Sequence, residues 1–380
     1  MTRSGWRTTC ALATLMHASV LLADTASAEP PAGYTLRFAE EFNGGGVDFT
    51  NRWDSYWHRW NVRHLAGNND KAVKAADHER LRGSRTVGDL LRSSGLPRKS
   101  NYLHEVRGGK MRLRAWPVPG ELRDEFLGFP YVAGMVAGPR AHAQKFGYWE
   151  TRLRVTSLSK GQHFALWLLP DDHGWPPEID MLEVVSGDGW LYANTHVKNG
   201  VAPPITYVKP SGRMNAWMTV GFEWTPEELI WTIDGKQIRR HWPDIGDRPM
   251  YPLMSWEIGG NWPGSPDGST VWPAEIMVDY LRVYEKTGSS STPSTPSSGG
   301  SNGNSGGSGS SSGGDNSGGS NGGNSGNSGN SGNSGNSNNA GNSGSQSNTK
   351  LDLSAWDIKQ GQIENRWSRK AFRRMNRRMR

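Results

Sequence analysis

The stretch Trp175-Pro-Pro-Glu178-Ile-Asp180-Met-Leu-Glu183 decides how this chain is interpreted, because it places three carboxylates in an otherwise apolar, strand-like segment. On a regular strand Glu178 and Asp180 share a face, whereas Glu183 points to the opposite one, since side chains alternate. One β-bulge between Asp180 and Glu183 adds a residue and restores Glu183 to the shared face. The motif therefore predicts a bulged strand with three acids in one groove.

Three crowded carboxylates favour chemistry that needs one of them ionised and another protonated. Their mutual repulsion separates their pKa values in this way. Glycoside hydrolysis requires one ionised and one protonated carboxyl, because a carboxylate attacks the anomeric carbon while a carboxylic acid protonates the leaving oxygen. Retention requires the two groups to lie roughly 5–5.5 Å apart. Two other interpretations stay open: a metal site, although calcium loops usually contain Gly and Asn within the run, and a solvated strand face.

Alternating polar and apolar residues predict strands on both sides of the motif. Short strands separated by turn signals are typical of an antiparallel sandwich. An Asp234-Gly-Lys236 turn predicts a hairpin, and Thr86–Ser94 predicts a short helix within an inserted loop. The predicted strands are Lys110–Ala115, Tyr148–Val155, Trp217–Trp224, Leu229–Ile233, Ile238–His241 and Ile276–Tyr284.

The N-terminus has the pattern of an export signal. Arg3 and Arg7 precede an apolar run from Ala11 to Ala23, and Ala26-Ser-Ala28 offers a small-residue cleavage site. This pattern predicts a signal peptide at residues 1–28 and a secreted or periplasmic protein. An uncleaved N-terminal anchor is the alternative.

Composition divides the rest of the chain into three parts. Residues 29–287 are mixed and aromatic, which predicts one globular domain. Residues 288–349 are almost entirely Gly, Ser and Asn, which predicts a disordered linker. Residues 350–380 form a short basic tail, which could bind acidic polysaccharide or a membrane surface. A solubilising end is the alternative for this tail.

Charge and cysteine usage exclude several classes of protein. The formal net charge is +7, and residues 350–380 contain ten basic residues against three acidic ones. The remainder is therefore close to neutral, which argues against a nucleic-acid partner. The only cysteine, Cys10, lies in the predicted signal peptide. Disulfides and thiolate metal sites are therefore excluded from the mature chain.

The carboxylate motif and its neighbours resemble glycoside hydrolase family 16. The matching segments follow the order of the family across almost all of residues 29–287. The E-x-D-x-x-E form resembles the bulged branch, which includes laminarinases, agarases, carrageenases and succinoglycan depolymerases. The xyloglucan transferase branch has a motif one residue shorter. Besides the motif, the matching segments are Glu40–Gly44, Leu65–Asp70, Gln144–Glu150, Ala165–Pro170, Val220–Pro226, Gly259–Gly264 and Val278–Tyr284.

The resemblance implies a β-jelly-roll sandwich of two antiparallel sheets with a concave substrate cleft. It implies Glu178 as nucleophile, Asp180 as assisting acid and Glu183 as general acid/base. The implied enzyme is a monomeric, secreted, retaining endo-glycosidase that acts on a bacterial exopolysaccharide or a β-glucan without a catalytic cofactor. A transglycosylase that remodels exopolysaccharide and a non-catalytic carbohydrate-binding lectin remain as alternatives. The intact acid triplet argues against the lectin.

Aromatic side chains are expected to line the cleft. Fifteen tryptophans fall within the globular part, and their flat apolar faces suit the C–H faces of sugar rings. His196 follows the motif on the next strand and resembles a family position near the nucleophile, with a core histidine as the alternative. The predicted substrate-binding residues are His196, Trp167, Trp175, Asn68, Trp256 and Trp262.

The resemblance also implies a structural Ca²⁺ site, with Glu41, Asp279 and a carbonyl near Gly109 as ligands. Two surface acids are the alternative. Two departures from the family pattern concern the substrate. Ser255-Trp256-Glu257 replaces a segment that often reads Asn-Leu-Ala, which adds an acid to the cleft floor. The stretch Lys71–His104 is longer than is usual in the family, and Arg59–Lys99 contains ten basic against four acidic residues. If this longer segment covers the cleft, it could bind an anionic polysaccharide; a solvated loop is the alternative.

Overall fold

The computed structural model describes residues 31–57, 61–96, 102–172, 174–197, 205–209, 214–242, 245–288 and 357–361. The predicted signal peptide and linker, and most of the basic tail, lie outside the described residues. None of the helices in these ranges has the length and apolarity needed to cross a bilayer.

Strands dominate the described chain, as the alternating sequence pattern predicts. Helical structure is confined to α1 (Val87–Ser93) and two 3₁₀ turns, Ala66–Asn68 and Gly120–Leu122, among the described residues. The strands are β1 (Tyr34–Glu40), β2 (Ala72–Lys74), β3 (His104–Val106), β4 (Met111–Pro117), β5 (Tyr131–Ala133), β6 (Met135–Ala137), β7 (Gly147–Ser157), β8 (Gln162–Pro170), β9 (Glu178–Val185), β10 (Leu191–His196), β11 (Ile205–Lys209), β12 (Met218–Trp224), β13 (Leu229–Ile233), β14 (Lys236–His241), β15 (Met250–Ile258), β16 (Ala274–Lys286) and β17 (Asp357–Gly361).

Two sheets contain all the strands of the described ranges. The larger has ten strands in the order β14-β13-β12-β7-β16-β4-β5-β2, with β1 paired to β16 and β3 to β4. The smaller has seven, in the order β17-β11-β10-β9-β8-β15-β6. Most pairs are antiparallel, and β2 and β5 run parallel. The predicted all-β sandwich, with the jelly-roll architecture that the resemblance implies, is confirmed.

The main core lies between the two sheets. Burial alternates along β7, so that Trp149 and Leu153 face the smaller sheet while their neighbours are partly exposed. β8 is buried along its whole length. It directs Phe164 and Leu166 into this core, while its other face lies beneath aromatic side chains. Burial on both faces explains the almost continuous apolar sequence of β8.

The inserted segment builds a small second core at the edge of the larger sheet. Thr86 caps α1, since its side chain accepts the backbone N–H of Asp89 at 3.2 Å. Leu90 and Leu91 then pack in a cluster with Trp116 and other apolar residues. The helix predicted at Thr86–Ser94 is confirmed.

Candidate active site

A bulge in β9 places the three acids on one face of the smaller sheet. On one side, Tyr192 pairs with Glu183 and Asn194 with Asp180, so that between these pairs one residue of β10 opposes two of β9, Met181 and Leu182. β8 shows the same offset on the other side of β9. Met181 and Leu182 are buried, while Glu178, Asp180 and Glu183 share the opposite face. The bulge predicted between Asp180 and Glu183 is confirmed.

The bulge is supported from behind by the larger sheet. The indole N–H of Trp231, on β13, donates to the backbone carbonyl of Asp180 at 3.0 Å. A bulge locally disrupts the strand ladder, and a buried carbonyl without a partner is costly. The Trp231 indole therefore satisfies a carbonyl at the point where the strand departs from regular pairing.

Glu178 lies at the partly exposed end of the groove face. Its Oε2 accepts the indole N–H of Trp175 at 2.5 Å, and its Oε1 lies 3.4 Å from Nε2 of His196. The same ring nitrogen lies 3.3 Å from Oδ2 of Asp180. His196 therefore contacts two of the three acids, and a hydrogen-bond donor and a charged ring hold Glu178 in place.

Glu183 has a different set of neighbours. Its Oε1 lies 3.1 Å from Nε2 of His163 on β8, and the other ring nitrogen of His163 lies 3.8 Å from Oε2 of Glu257 on β15. Glu257 accepts the side-chain N–H of Asn68 at 3.2 Å. His163 was not among the residues predicted for the site. The signal for it was strand alternation, because His163 lies four residues before Trp167 on the same face of β8.

Burial raises the pKa of both glutamates into the neutral range. Removal from water raises the pKa of Glu178 to about 8, with His196 opposing the shift and Asp180 adding to it. Removal from water and the charge of Asp180 raise the pKa of Glu183 to about 7, against the effect of His163. Because the carboxyls act on one another, they titrate as a group. The group therefore holds a proton near neutral pH.

The surrounding acids favour the charged form of both histidines of the site. Burial disfavours their charge, but the acids that contact them raise the pKa of His163 and of His196 to about 10. Glu178, Asp180 and His196 each offer one ligand atom within 4.8 Å of the others, as a metal site would. A metal ion would have to displace the proton of His196, so this arrangement suits proton transfer better than metal binding.

Four of the predicted substrate-binding side chains lie on or beside the groove face, in addition to His196. Trp167 packs against Trp57 there, with ring centroids 6.1 Å apart. Trp175 lies beside His196. Trp262 is 36% exposed and lies 5.2 Å from the His163 ring. Asn68 contacts Glu257. Trp175 and Trp262 therefore lie beside the two histidines of the site, whereas Trp167 is only 6% exposed.

The prediction that Trp256 lines the cleft is wrong. Trp256 is fully buried between the sheets, where it packs against Phe164 and donates its indole N–H to the carbonyl of Leu113 at 2.9 Å. Side chains alternate along β15. Its neighbours Ser255 and Glu257 therefore face the groove, opposite Ala165 and His163 of β8.

The residues implied for calcium are paired with basic side chains. Glu41 accepts two hydrogen bonds from Arg282, at 2.7 and 3.0 Å. Asp279 contacts Arg152 and lies 3.2 Å from Lys110. In this arrangement the carboxylates do not form the oxygen cage that calcium requires. Gly109, which has a positive φ of 65°, immediately precedes Lys110 in the sequence. Calcium binding here stays a prediction.

The basic segment Arg59–Lys99 is partly neutralised by nearby acids. Among the described residues, three of its arginines form ion pairs, which reduces the charge that an anionic substrate would meet. Anion binding by the insertion therefore stays a prediction. The three pairs are Arg63 with Glu79, Arg85 with Glu125 and Arg92 with Asp89.

Comparison with known proteins finds one matching family model and several similar proteins. The family model described as "Glycosyl hydrolases family 16" matches residues 133–282, which include all three acids. Two proteins of Rhizobium meliloti (strain 1021) are similar. Endo-1,3-1,4-beta-glycanase ExsH is 31% identical over 182 residues, covering 47% of this chain and 39% of that protein. Endo-1,3-1,4-beta-glycanase EglC is 31% identical over 191 residues, covering 50% and 41%.

The chain therefore spans about two fifths of the length of these relatives. Among solved structures, the catalytic domain of an endo-1,3-beta-glucanase (laminarinase) from Thermotoga petrophila RKU-1 superposes with a TM-score of 0.53 at 23% identity. The match covers 67% of this chain and 98% of that one. At 23% identity this similarity concerns the fold alone.

Proposed function

Because residues 133–282 belong to glycosyl hydrolase family 16, we propose that the protein is an endo-acting glycoside hydrolase that cleaves β-linkages within a polysaccharide. The observation that carries this proposal is the bulge at Met181, which sets Glu178, Asp180 and Glu183 on one groove face. The names of the relatives favour a 1,3- or 1,4-linked β-glycan as substrate. The predicted export signal adds that the enzyme acts in the periplasm or outside the cell.

The proposed mechanism is a double displacement. An oxygen of Glu178 attacks the anomeric carbon and forms an ester, while the bond to the leaving oxygen breaks and that oxygen takes the proton of Glu183. Glu183 then removes a proton from water, whose oxygen attacks the same carbon and releases Glu178. Two inversions give net retention of configuration.

The neighbours of each glutamate suit these roles. Burial raises the pKa of Glu178 to about 8, and the Trp175 N–H and His196 oppose this shift by favouring the ionised form that a nucleophile requires. Burial raises the pKa of Glu183 to about 7, so that it can donate a proton near neutral pH. Asp180, between them, repels both and contacts His196.

A substrate panel tests the proposal. The full chain is incubated with laminarin, mixed-linkage β-glucan, a galactan and an acidic bacterial exopolysaccharide, and reducing ends are measured together with viscosity. Endo-cleavage lowers viscosity faster than it releases reducing ends. Proton NMR of the first product gives its anomeric configuration, and inversion would contradict the double displacement.

Variants identify the nucleophile. Glu178→Gln should lower turnover by on the order of 10³-fold or more, since no covalent intermediate can form. Glu121→Gln, at an exposed carboxylate of a 3₁₀ turn, is the matched control and should retain activity. Full activity of Glu178→Gln would end the assignment. Mass spectrometry of product lengths separates hydrolysis from transglycosylation, because transfer yields chains longer than the substrate.

A further inference from the structure

A line of alternating charges leads away from the acid/base candidate Glu183. His163 on β8 contacts Glu183 at 3.1 Å and faces Glu257 at 3.8 Å. Glu257 lies directly opposite His163 in the pairing of β15 with β8. A buried ion pair joins Lys74 to Asp70 at 2.5 Å, and the charge of Lys74 lowers the pKa of Glu257. The charges along this line alternate in sign from Glu183 to Lys74.

Stability alone gives no reason for these charges. The side chains of His163 and Glu257 are 7% and 8% exposed, and those of Lys74 and Asp70 are fully buried. Apolar residues of similar volume usually stabilise such a position as well as a buried ion pair does, or better. The cost of burying these groups therefore points to a role in the chemistry next to them.

The two carboxylates beside His163 favour its charged form, and that charge decides which oxygen of Glu183 holds the proton. A charged imidazole donates from both ring nitrogens, so Oε1 of Glu183 accepts a hydrogen bond from Nε2 of His163. The proton of Glu183 then belongs on Oε2. Glu257 neutralises the far side of the ring, and Asn68 holds Glu257 from the groove edge.

We propose that His163 is a positioning residue for the acid/base carboxyl of Glu183, and that Glu257 is the counter-ion that keeps His163 charged and oriented. This inference rests on the proposed hydrolase function. His163 directs the proton of Glu183 toward the leaving oxygen and stabilises the carboxylate that forms when the proton is transferred. The titratable groups around the ring are Glu183 from β9 and Glu257 from β15, and the charge of Lys74, which is paired with Asp70, acts on Glu257.

The pH profile of kcat/KM tests the role of His163. His163→Gln keeps a neutral N–H donor but removes the charge that favours ionised Glu183. Its alkaline limb should move to higher pH by roughly one unit, the shift typical of losing one adjacent opposite charge. The control is His142→Gln, at a histidine that stacks on Phe38 outside the groove and should leave the limb in place. A folded His163→Gln variant with an unchanged or lowered limb would overturn the proposal.

A second measurement needs no turnover. Histidine ring protons of the full chain are titrated by NMR, and the His163 signal is assigned by its absence in His163→Gln. In Glu257→Gln the pKa of His163 should fall by roughly one unit or more, because an adjacent anion is lost. An unchanged His163 titration would refute the role of Glu257. If the wild-type chain cleaved no glycan, the proposed function would fail, and this titration would still decide the ion pair.

Discussion

At the scale of single residues, strand alternation decides which side chains reach the groove. The sequence identified the three acids because their spacing is unusual for an apolar strand. Residue type alone favours the cleft for Trp256, but alternation along β15 places its neighbour Glu257 there instead. Alternation identifies His163 only once β8 is set in register, because it then lies on the face of Trp167.

The two tryptophans Trp256 and Trp262 should respond differently to truncation. Trp256→Ala removes a fully buried indole and should lower the free energy of unfolding by about 3–5 kcal/mol. Trp262→Ala removes a 36% exposed ring beside the groove. It should raise KM about two- to tenfold, the equivalent of an aromatic contact of about 0.5–1.5 kcal/mol. Urea unfolding and steady-state kinetics on the same polysaccharide distinguish them. Equal stability losses would contradict the placement of Trp256.

The pH dependence of hydrolysis should be set by the protonation of Glu178 and Glu183. Burial raises the pKa of Glu183 to about 7 and that of Glu178 to about 8, both above the usual value for glutamate. Because the singly protonated pair is the active form, kcat/KM should follow a bell-shaped curve: it falls at low pH, where both carboxyls hold a proton, and at high pH above about 8, where neither does. A profile measured from pH 4 to 10 checks this. Constant activity up to pH 10 would show that the proton is not held by these carboxyls.

At the scale of elements, β9 shows why the bulge could be predicted and its support could not. Glu183 lies an odd number of residues after Asp180, so the two acids share a face only if the strand contains one extra residue. This spacing is visible in the sequence. Trp231, which donates to the Asp180 carbonyl, lies 51 residues from Asp180 in the chain. Such a contact depends on how β13 of one sheet lies over β9 of the other, which periodicity does not give.

Deleting Met181 should keep all three carboxylates on the groove face. The deletion gives an E-x-D-x-E strand, in which regular alternation alone aligns the acids. Pairing with β8 and β10 should continue on both sides, because the bulge absorbs the extra residue. Losing a buried Met should cost about 2–5 kcal/mol of stability. The activity loss should be smaller than the roughly 10²–10⁴-fold loss expected when general acid–base catalysis is removed.

Glu183→Gln provides the comparison for this deletion. Both variants are assayed for reducing-end release after circular dichroism has established that they are folded. If the folded deletion variant were as inactive as Glu183→Gln, the bulge would have a further role in placing Glu183.

At the scale of the whole molecule, the sandwich was predictable but its additions were not. Alternation and turn chemistry locate the strands and the β13–β14 hairpin. The pairing of β17 with the edge of β11 brings together segments about 150 residues apart, and short polar strands leave little pattern to detect. The second core around α1 likewise depends on Trp116 and Phe126, which lie beyond the insertion itself.

Removing residues 350–380 should leave hydrolysis of a soluble glycan unchanged. β17 pairs with β11, and β10 separates β11 from the catalytic strand. The truncated chain should instead expose the outer edge of β11, because an edge strand without a neighbour has unpaired N–H groups. Hydrogen exchange at 205–209 should accelerate, measured by mass spectrometry beside an activity assay. A large loss of turnover would assign the tail a part in the reaction.

The indole of Trp231 has a practical consequence for protein engineering. Because the Trp231 indole on the larger sheet holds β9 in place, the larger sheet cannot be redesigned for heat tolerance without regard to activity. Random libraries confined to β12, β13 and β14 should yield clones that remain soluble and still bind glycans, yet turn over slowly. If Trp231 is kept unchanged, such libraries can vary the other residues of these three strands with a smaller loss of catalytic activity.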